Sequence, residues 1–161
     1  MSRLTELTSK IDGFFARVEA RHGDDMQCQT GCSDCCHVRL SVTAVEAADI
    51  RTYLATRRID PNPAPDRCAA LDVAGRCQIY DARPVVCRSH GVPIRLREEV
   101  IPRSLPVVRN CFRNFTHTEP AADCVLDQET LSTLVLAVDR AAGNDGSRID
   151  LATLLSQFAR Q

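Results

Sequence analysis

The stretch Cys28-Gln-Thr-Gly-Cys32-Ser-Asp-Cys35-Cys36 places four thiols within nine residues. Gaps of two and three residues let neighbouring cysteines turn back onto one metal ion, as in zinc knuckles and iron–sulfur ligand runs. Cysteine used only as a small buried hydrophobe has no need of such spacing. Cys68, Cys77, Cys87 and Cys111 follow. The spacing therefore predicts a fold tied together by metal, with Cys28, Cys32, Cys35, Cys36, Cys68, Cys77, Cys87 and Cys111 as its ligands. Cys124, just before a predicted helix, reads as a buried structural thiol.

Successive side chains diverge by about 100° in a helix and 180° in a strand. Cys35 and Cys36 are thus not expected to share one ion in ordinary geometry. Eight ligands would serve two four-thiolate sites, or one cluster and a separate site.

The rest of the composition narrows the class. A chain of 161 residues is about one domain's worth, and 44% hydrophobic with 25% charged residues is ordinary for a globular protein. A net charge of −1 excludes bulk electrostatics as the basis for binding nucleic acid or an acidic membrane. The opening MSRLTELTSKIDGFFARVEARHG is too regularly charged for a signal peptide, and no apolar run is long enough to span a bilayer. We therefore expect a cytoplasmic protein with reduced thiols, and an odd cysteine count suits a disulfide scaffold poorly.

One domain of three parts is expected over residues 1–161. Residues 1–27 read as a helix, with Leu4, Leu7, Ile11, Phe14, Phe15 and Val18 at three- and four-residue spacing and Gly23 as its stop. Residues 28–117 hold eight of the nine cysteines and form the metal-binding module. Within it Thr43 and Glu46 make a capping box for a helix carrying Val45, Ala48, Ile50 and Leu54. Residues 37–42 read as extended, and Asp60-Pro-Asn-Pro-Ala-Pro-Asp66 as a surface loop. Residues 72–75 supply a hairpin turn with Cys68 and Cys77 on its arms. Residues 92–96 and 100–105 are expected to pair as a short hairpin, limited to edges by Pro93, Pro102 and Pro106. In residues 118–161, Asp127 caps a helix with Leu131, Leu134, Val135 and Val138, and Asp150 caps a last one with Leu151, Leu154, Leu155 and Phe158. The expected class is mainly α: an N-terminal helix and a C-terminal helical pair around a loop-rich, metal-stabilised cysteine cluster with one or two short β-hairpins.

The second segment reads Cys77-Gln-Ile-Tyr-Asp-Ala-Arg83-Pro-Val-Val-Cys87-Arg88. Together with Cys28, Cys32, Cys35, Cys36, Cys68 and Cys111, it resembles the cysteine-cluster family with the C-x-x-C-x-x-C-C signature, the YkgJ-like zinc- or iron-chelating proteins. The resemblance runs over about residues 28–115. Three residues rather than two separate Cys28 from Cys32, and Ser89-His90-Gly91 departs from the family's aromatic and proline. The resemblance implies a bound metal, iron–sulfur or zinc. Related clusters in flagellin lysine methylases bring protein modification to mind, but this chain has no methyl-donor motif.

Arg83 and Arg88 flank Cys87 and are suited to offset thiolate charge and donate hydrogen bonds to sulfur, against the alternative of surface ion pairs. Tyr80, Phe112 and Phe115 are expected in the core, and His22 and His117 in solvent. His37 and His90 lie near thiols as secondary candidates for ligation. A nucleophilic Cys87–His90 pair would need a free thiolate, which ligation denies it. Seven arginines between 83 and 113 have no aromatic interleaving for base stacking, so nucleic acid is not expected. The leading expectation is an iron–sulfur cluster, [4Fe–4S] foremost, in a redox or protein-modification role. The alternative is a structural zinc module acting through a protein partner. No catalytic residue is assigned, no membrane is expected, and the state expected is a monomer or weak dimer.

Overall fold

The computed structural model describes residues 2–29, 31–96 and 107–160. Five α-helices and two small sheets make up its regular structure, which is mainly α with some strand. Among the described residues, no helix is long and apolar enough to cross a membrane. Contacts sort the chain into two compact units, Met1–Cys28 with Val85–Val135, and Gln29–Pro84 with Leu136–Gln161. The expected 28–117 module is thus divided between them.

In the first unit, helix α1 spans Arg3–His22, with Ser2 accepting from the Thr5 amide at its start and Gly23 at its end. Leu4, Leu7, Ile11 and Val18 form its buried stripe. Short helix α3 (Val85–Arg88) follows Pro84, whose missing N–H costs nothing ahead of a first turn. Strand β2 (Ile94–Leu96) pairs antiparallel with β3 (Val107–Arg109) and parallel with β4 (Leu126–Asp127). The expected partner, 100–105, lies outside the described residues. Val18, Met26, Val92, Phe115 and Cys124 form this unit's core, with Phe14, Phe15 and Cys28 packed against it.

In the second unit, β1 (Ser41–Thr43) pairs antiparallel with β5 (Arg148–Asp150), so the extended segment at 37–42 finds its partner far along the chain. Helix α2 (Ala44–Leu54) opens with the Thr43/Glu46 capping box. Its buried face carries Ala47, Ile50 and Leu54, and Ala48, expected there, is exposed. Helix α5 (Leu151–Ser156) is capped by Asp150, which accepts from the Thr153 amide at 2.7 Å. The core joins Val42, Ile50, Leu54, Ile79, Leu151, Leu154 and Leu155 with Cys68, and Cys36 and Cys77 pack against it.

Helix α4 (Gln128–Ala141) is capped by Asp127, which accepts from the Thr130 amide at 2.8 Å. Leu131 and Val135 are buried, but Leu134 is 46% exposed. The stripe 131, 135, 139 ends on Asp139, fully buried, whose Oδ1 accepts from the Val45 amide at the start of α2 at 2.8 Å and from Asn144.

Candidate metal centre

Four of the expected ligands come together in the second unit. A tight turn, closed by the Cys36 amide on the Ser33 carbonyl at 2.9 Å, puts Cys35 and Cys36 into one turn of 3-10 helix, Asp34–Cys36. Their Sγ atoms lie 3.9 Å apart. This differs from the expected divergence of neighbouring side chains. The backbone turns tightly enough here for both sulfurs to reach the same side.

The second pair sits on a hairpin. Asp72 Oδ1 accepts from the Ala74 and Arg76 amides, and the Asp72 amide donates to the Arg76 carbonyl at 2.8 Å. Gly75, at φ +75°, completes the turn. Leu71 and Cys77 bridge antiparallel across it. The amide of Cys68 donates to the carbonyl of Cys36 at 2.8 Å, tying the vicinal pair directly to this hairpin.

The electrostatics treat the thiols as neighbours. The hydrogen bond with Cys36 brings the Cys35 thiol down to about 7, against burial and the Asp34 carboxylate. Burial pushes Cys68 up, and a Cys35 thiolate nearby pushes the same way. Burial also raises Cys77, with Cys68 and Cys35 adding to it and the Arg83 guanidinium opposing. Cys35, Cys68 and Cys77 therefore lie within electrostatic reach of one another, with Cys36 bonded to the first. Among the described residues, no three His, Cys, Asp or Glu side chains already stand at the spacing of a closed metal site. Mutual electrostatic influence extends further than ligand contact.

The remaining candidates are Cys32 in the second unit and three thiols of the first. Cys32 is exposed, with its thiol 4.0 Å from the Asp34 carboxylate. Cys28, Cys87 and Cys111 belong to the first unit, each half-buried. Cys28 Sγ receives the Asn114 side-chain amide at 3.3 Å, and Cys111 begins the turn closed by the Asn114 amide. Cys87 lies on α3. Cys124 is 1% exposed within the first unit's core.

The two arginines take different positions. Arg83 stacks over the Tyr80 ring at 4.0 Å and stabilises the Cys77 thiolate electrostatically. Arg88 donates to Asp12 Oδ2 at 2.6 Å, an ion pair between α3 and α1. Tyr80, expected in the core, is 58% exposed because its ring serves as that platform. Phe112 is 72% exposed while Phe115 is buried. His22, expected in solvent, has a side chain only 14% exposed: Nδ1 pairs with Asp25 at 3.3 Å and the ring meets Phe115 edge to face. His37, His90 and His117 are exposed.

Residues 27–103, just under half of the chain, match the CxxCxxCC family model, described as "Putative zinc- or iron-chelating domain". Over those residues the chain is similar to the CxxCxxCC family. No curated protein and no solved structure matches the chain significantly. The matched stretch takes in Cys28, Cys32, Cys35, Cys36, Cys68, Cys77 and Cys87 and ends before Cys111 and Cys124. The family's description names metal chelation, and the thiols gathered in the second unit are the donor type that zinc and iron share.

Two contributors escaped the sequence reading. Asn114 and Gly91 enclose Cys28, although neither is a metal ligand by type. The only trace of Gly91's role in the sequence is its position at the end of a short helix.

Proposed function

We propose that this chain binds a single zinc or iron ion through four thiolates, Cys35, Cys36, Cys68 and Cys77, and that the ion stabilises the second unit. The observation that carries this reading is the 3.9 Å separation of Cys35 and Cys36 Sγ. Sulfurs on a tetrahedral ion at about 2.3 Å lie about 3.8 Å apart, so the vicinal pair already has the edge of such a site. The hydrogen bond between the Cys36 carbonyl and the Cys68 amide adds the hairpin thiols beside it. The donor set fits the group. When bound, the ion would supply four metal–sulfur bonds to a segment otherwise held by turns, and such binding energy is folding energy.

Residues of the chain prepare the site. The Cys35 thiol, brought down to about 7, is half ionised at neutral pH, Arg83 offsets charge at Cys77, and burial of Cys68 keeps water from one side. An iron–sulfur cluster is the second reading, favoured by the eight candidate thiols in the sequence where one closed ion needs four. It assigns Cys28, Cys32, Cys87 and Cys111 to metal as well. The role that follows from the first reading is structural, with function exercised through a protein partner. The cluster reading carries redox or protein-modification chemistry instead.

The experiment is metal and acid-labile sulfide analysis, with a visible spectrum, on protein purified under nitrogen, repeated on Cys35→Ser, Cys68→Ser and Cys77→Ser. One zinc or iron per chain, no sulfide, and loss of metal in each variant are expected. Stoichiometric sulfide with broad visible absorption would replace this reading with the cluster. Undiminished metal in all three variants would overturn the ligand assignment.

A further inference from the structure

We infer that Cys35 and Cys36 form a reversible redox pair whose substrate is a low-molecular-weight disulfide. Cys35 attacks that disulfide, Cys36 resolves the product, and the site loses its hold on metal. The inference rests on the four-thiolate reading and adds a substrate class and a regulation to that same site.

The four thiols differ in what can reach them. Cys35 is exposed, Cys36 and Cys77 are half-buried, and Cys68 is 5% exposed. A disulfide arriving from solvent meets Cys35 first, since exchange requires access to the attacking sulfur. Once Cys35 carries the reagent's sulfur, Cys36 is the thiol placed to displace it, with its Sγ 3.9 Å away. Cys32 is exposed too, but its thiol points at the Asp34 carboxylate at 4.0 Å. Contact between sulfurs thus selects the vicinal pair over the Cys32-x-x-Cys35 spacing.

In the first step the Cys35 thiolate bonds to one sulfur of the reagent and expels the other as a thiolate. In the second, the Cys36 thiolate bonds to Cys35 Sγ and expels the remaining reagent sulfur as a second thiolate. Two electrons pass from the pair to the reagent. Cys68 and Cys77, left as the only ligands, take two protons from water as the ion departs.

The same turn makes the product easy to reverse. Adjacent Cα atoms lie about 3.8 Å apart across a trans peptide, below the roughly 4.4–6.8 Å that disulfides ordinarily span. A bridge between neighbours is therefore strained, and strained disulfides are the readily reduced, regulatory ones. The pair is also placed so that its oxidation reaches the hairpin. The Cys36 amide closes its turn on the Ser33 carbonyl at 2.9 Å, and the Cys36 carbonyl accepts from the Cys68 amide at 2.8 Å. Ser33 packs on the hairpin tip, its Oγ 3.2 Å from where a Cβ on Gly75 would lie. Residues 33–36 and 68–77 lean on each other, so losing the ligands they share loosens both.

The test titrates the zinc-loaded full chain with oxidised glutathione under nitrogen and reads released zinc with a chromogenic indicator. Free thiols are then labelled with N-ethylmaleimide in denaturant. The tryptic fragment 22–39 holds Cys28, Cys32, Cys35 and Cys36, and its fragmentation in the mass spectrometer shows which two escaped the label. Expected are loss of zinc, labels on Cys28 and Cys32 but not on Cys35 and Cys36, and return of zinc after a phosphine reductant. Cys32→Ser, which leaves the four ligands in place, should release zinc to the same extent. Zinc retained against excess oxidised glutathione, or Cys35 linked to Cys32, to Cys68 or lastingly to glutathione, overturns the inference. So does a Cys32→Ser chain that binds zinc but no longer releases it. Each of these leaves the metal-binding reading standing, whereas a reduced chain that takes up no zinc overturns both.

Discussion

Raising the pH should tighten metal binding steeply, because the thiols gathered in the second unit hold protons that a metal must displace. Burial raises Cys68 and Cys77, so both are protonated at pH 7. Cys35, brought down to about 7 by its bond with Cys36, is half ionised there. Binding through these three sulfurs alone releases about 2.5 protons at pH 7, by the linkage of ligand ionisation to metal affinity. The apparent association constant should then rise about 300-fold per pH unit around neutrality, and more steeply below pH 6 where Cys35 is also protonated. The assay is competition against a chelator of known protonation between pH 6 and 8. Calorimetry in buffers of different ionisation enthalpy counts the protons independently. A dependence of tenfold per pH unit or less would mean that at most one protonated thiol is displaced, and would refute the four-thiolate assignment.

Without metal, the sign reverses. Groups whose folded-state pKa is raised stabilise the fold below their ordinary value and lose that contribution as pH rises, so metal-free protein should melt at lower temperature as pH is taken above about 9. In metal-free protein at pH 7, Cys35 should be alkylated first and Cys68 and Cys77 last. A thiol at about 7 is half thiolate where an ordinary one is about 3%, and its lower nucleophilicity trims that advantage to about threefold. Peptide mapping after brief iodoacetamide treatment checks the order, and early labelling of Cys68 would contradict it. Asp139→Ala strips the Val45 amide and Asn144 of their acceptor. It should cost about 2–3 kcal/mol and lower the melting temperature by about 5–10 °C. A fall under 2 °C would deny Asp139 its capping role. Cys124→Ser puts a hydroxyl into the first unit's core and should destabilise by about 1–3 kcal/mol with metal content unchanged. Lost metal would make it a ligand.

How far the sequence reached depended on the range of the interactions concerned. The helices were legible because their determinants are local: Thr43, Asp127 and Asp150 start the elements that they would be expected to start. The hairpin carrying Cys68 and Cys77 was legible for the same reason, its turn residues being adjacent. Pairing of β1 with β5 was not, since more than a hundred residues separate the strands. Nor was the vicinal pair's geometry. A periodicity argument assumes a regular helix or strand, and Cys35 and Cys36 sit in a tighter turn. Tyr80 and Phe112 were misplaced because an arginine can cover an aromatic ring at the surface, as Arg83 and Arg113 do. Asp139 lay hidden in an apolar stripe, where pattern alone gives no reason for a carboxylate. Its reason is the start of another helix.

The division of the cysteines was the least legible feature. A run from Cys28 to Cys36 looks like one ligand loop, yet the boundary between compact units falls directly after Cys28. Cys28 is claimed by contacts with Gly91 and Asn114, both far along the chain. Spacing could nominate eight thiols, but only three-dimensional packing shows which of them neighbour one another.

X-ray absorption at the metal edge of anaerobically purified protein tests the central claim most directly. A zinc or iron edge with four sulfur scatterers at about 2.3 Å and no metal–metal distance is the predicted result. A first shell of nitrogen and oxygen alone, or folded protein containing neither metal, would contradict it.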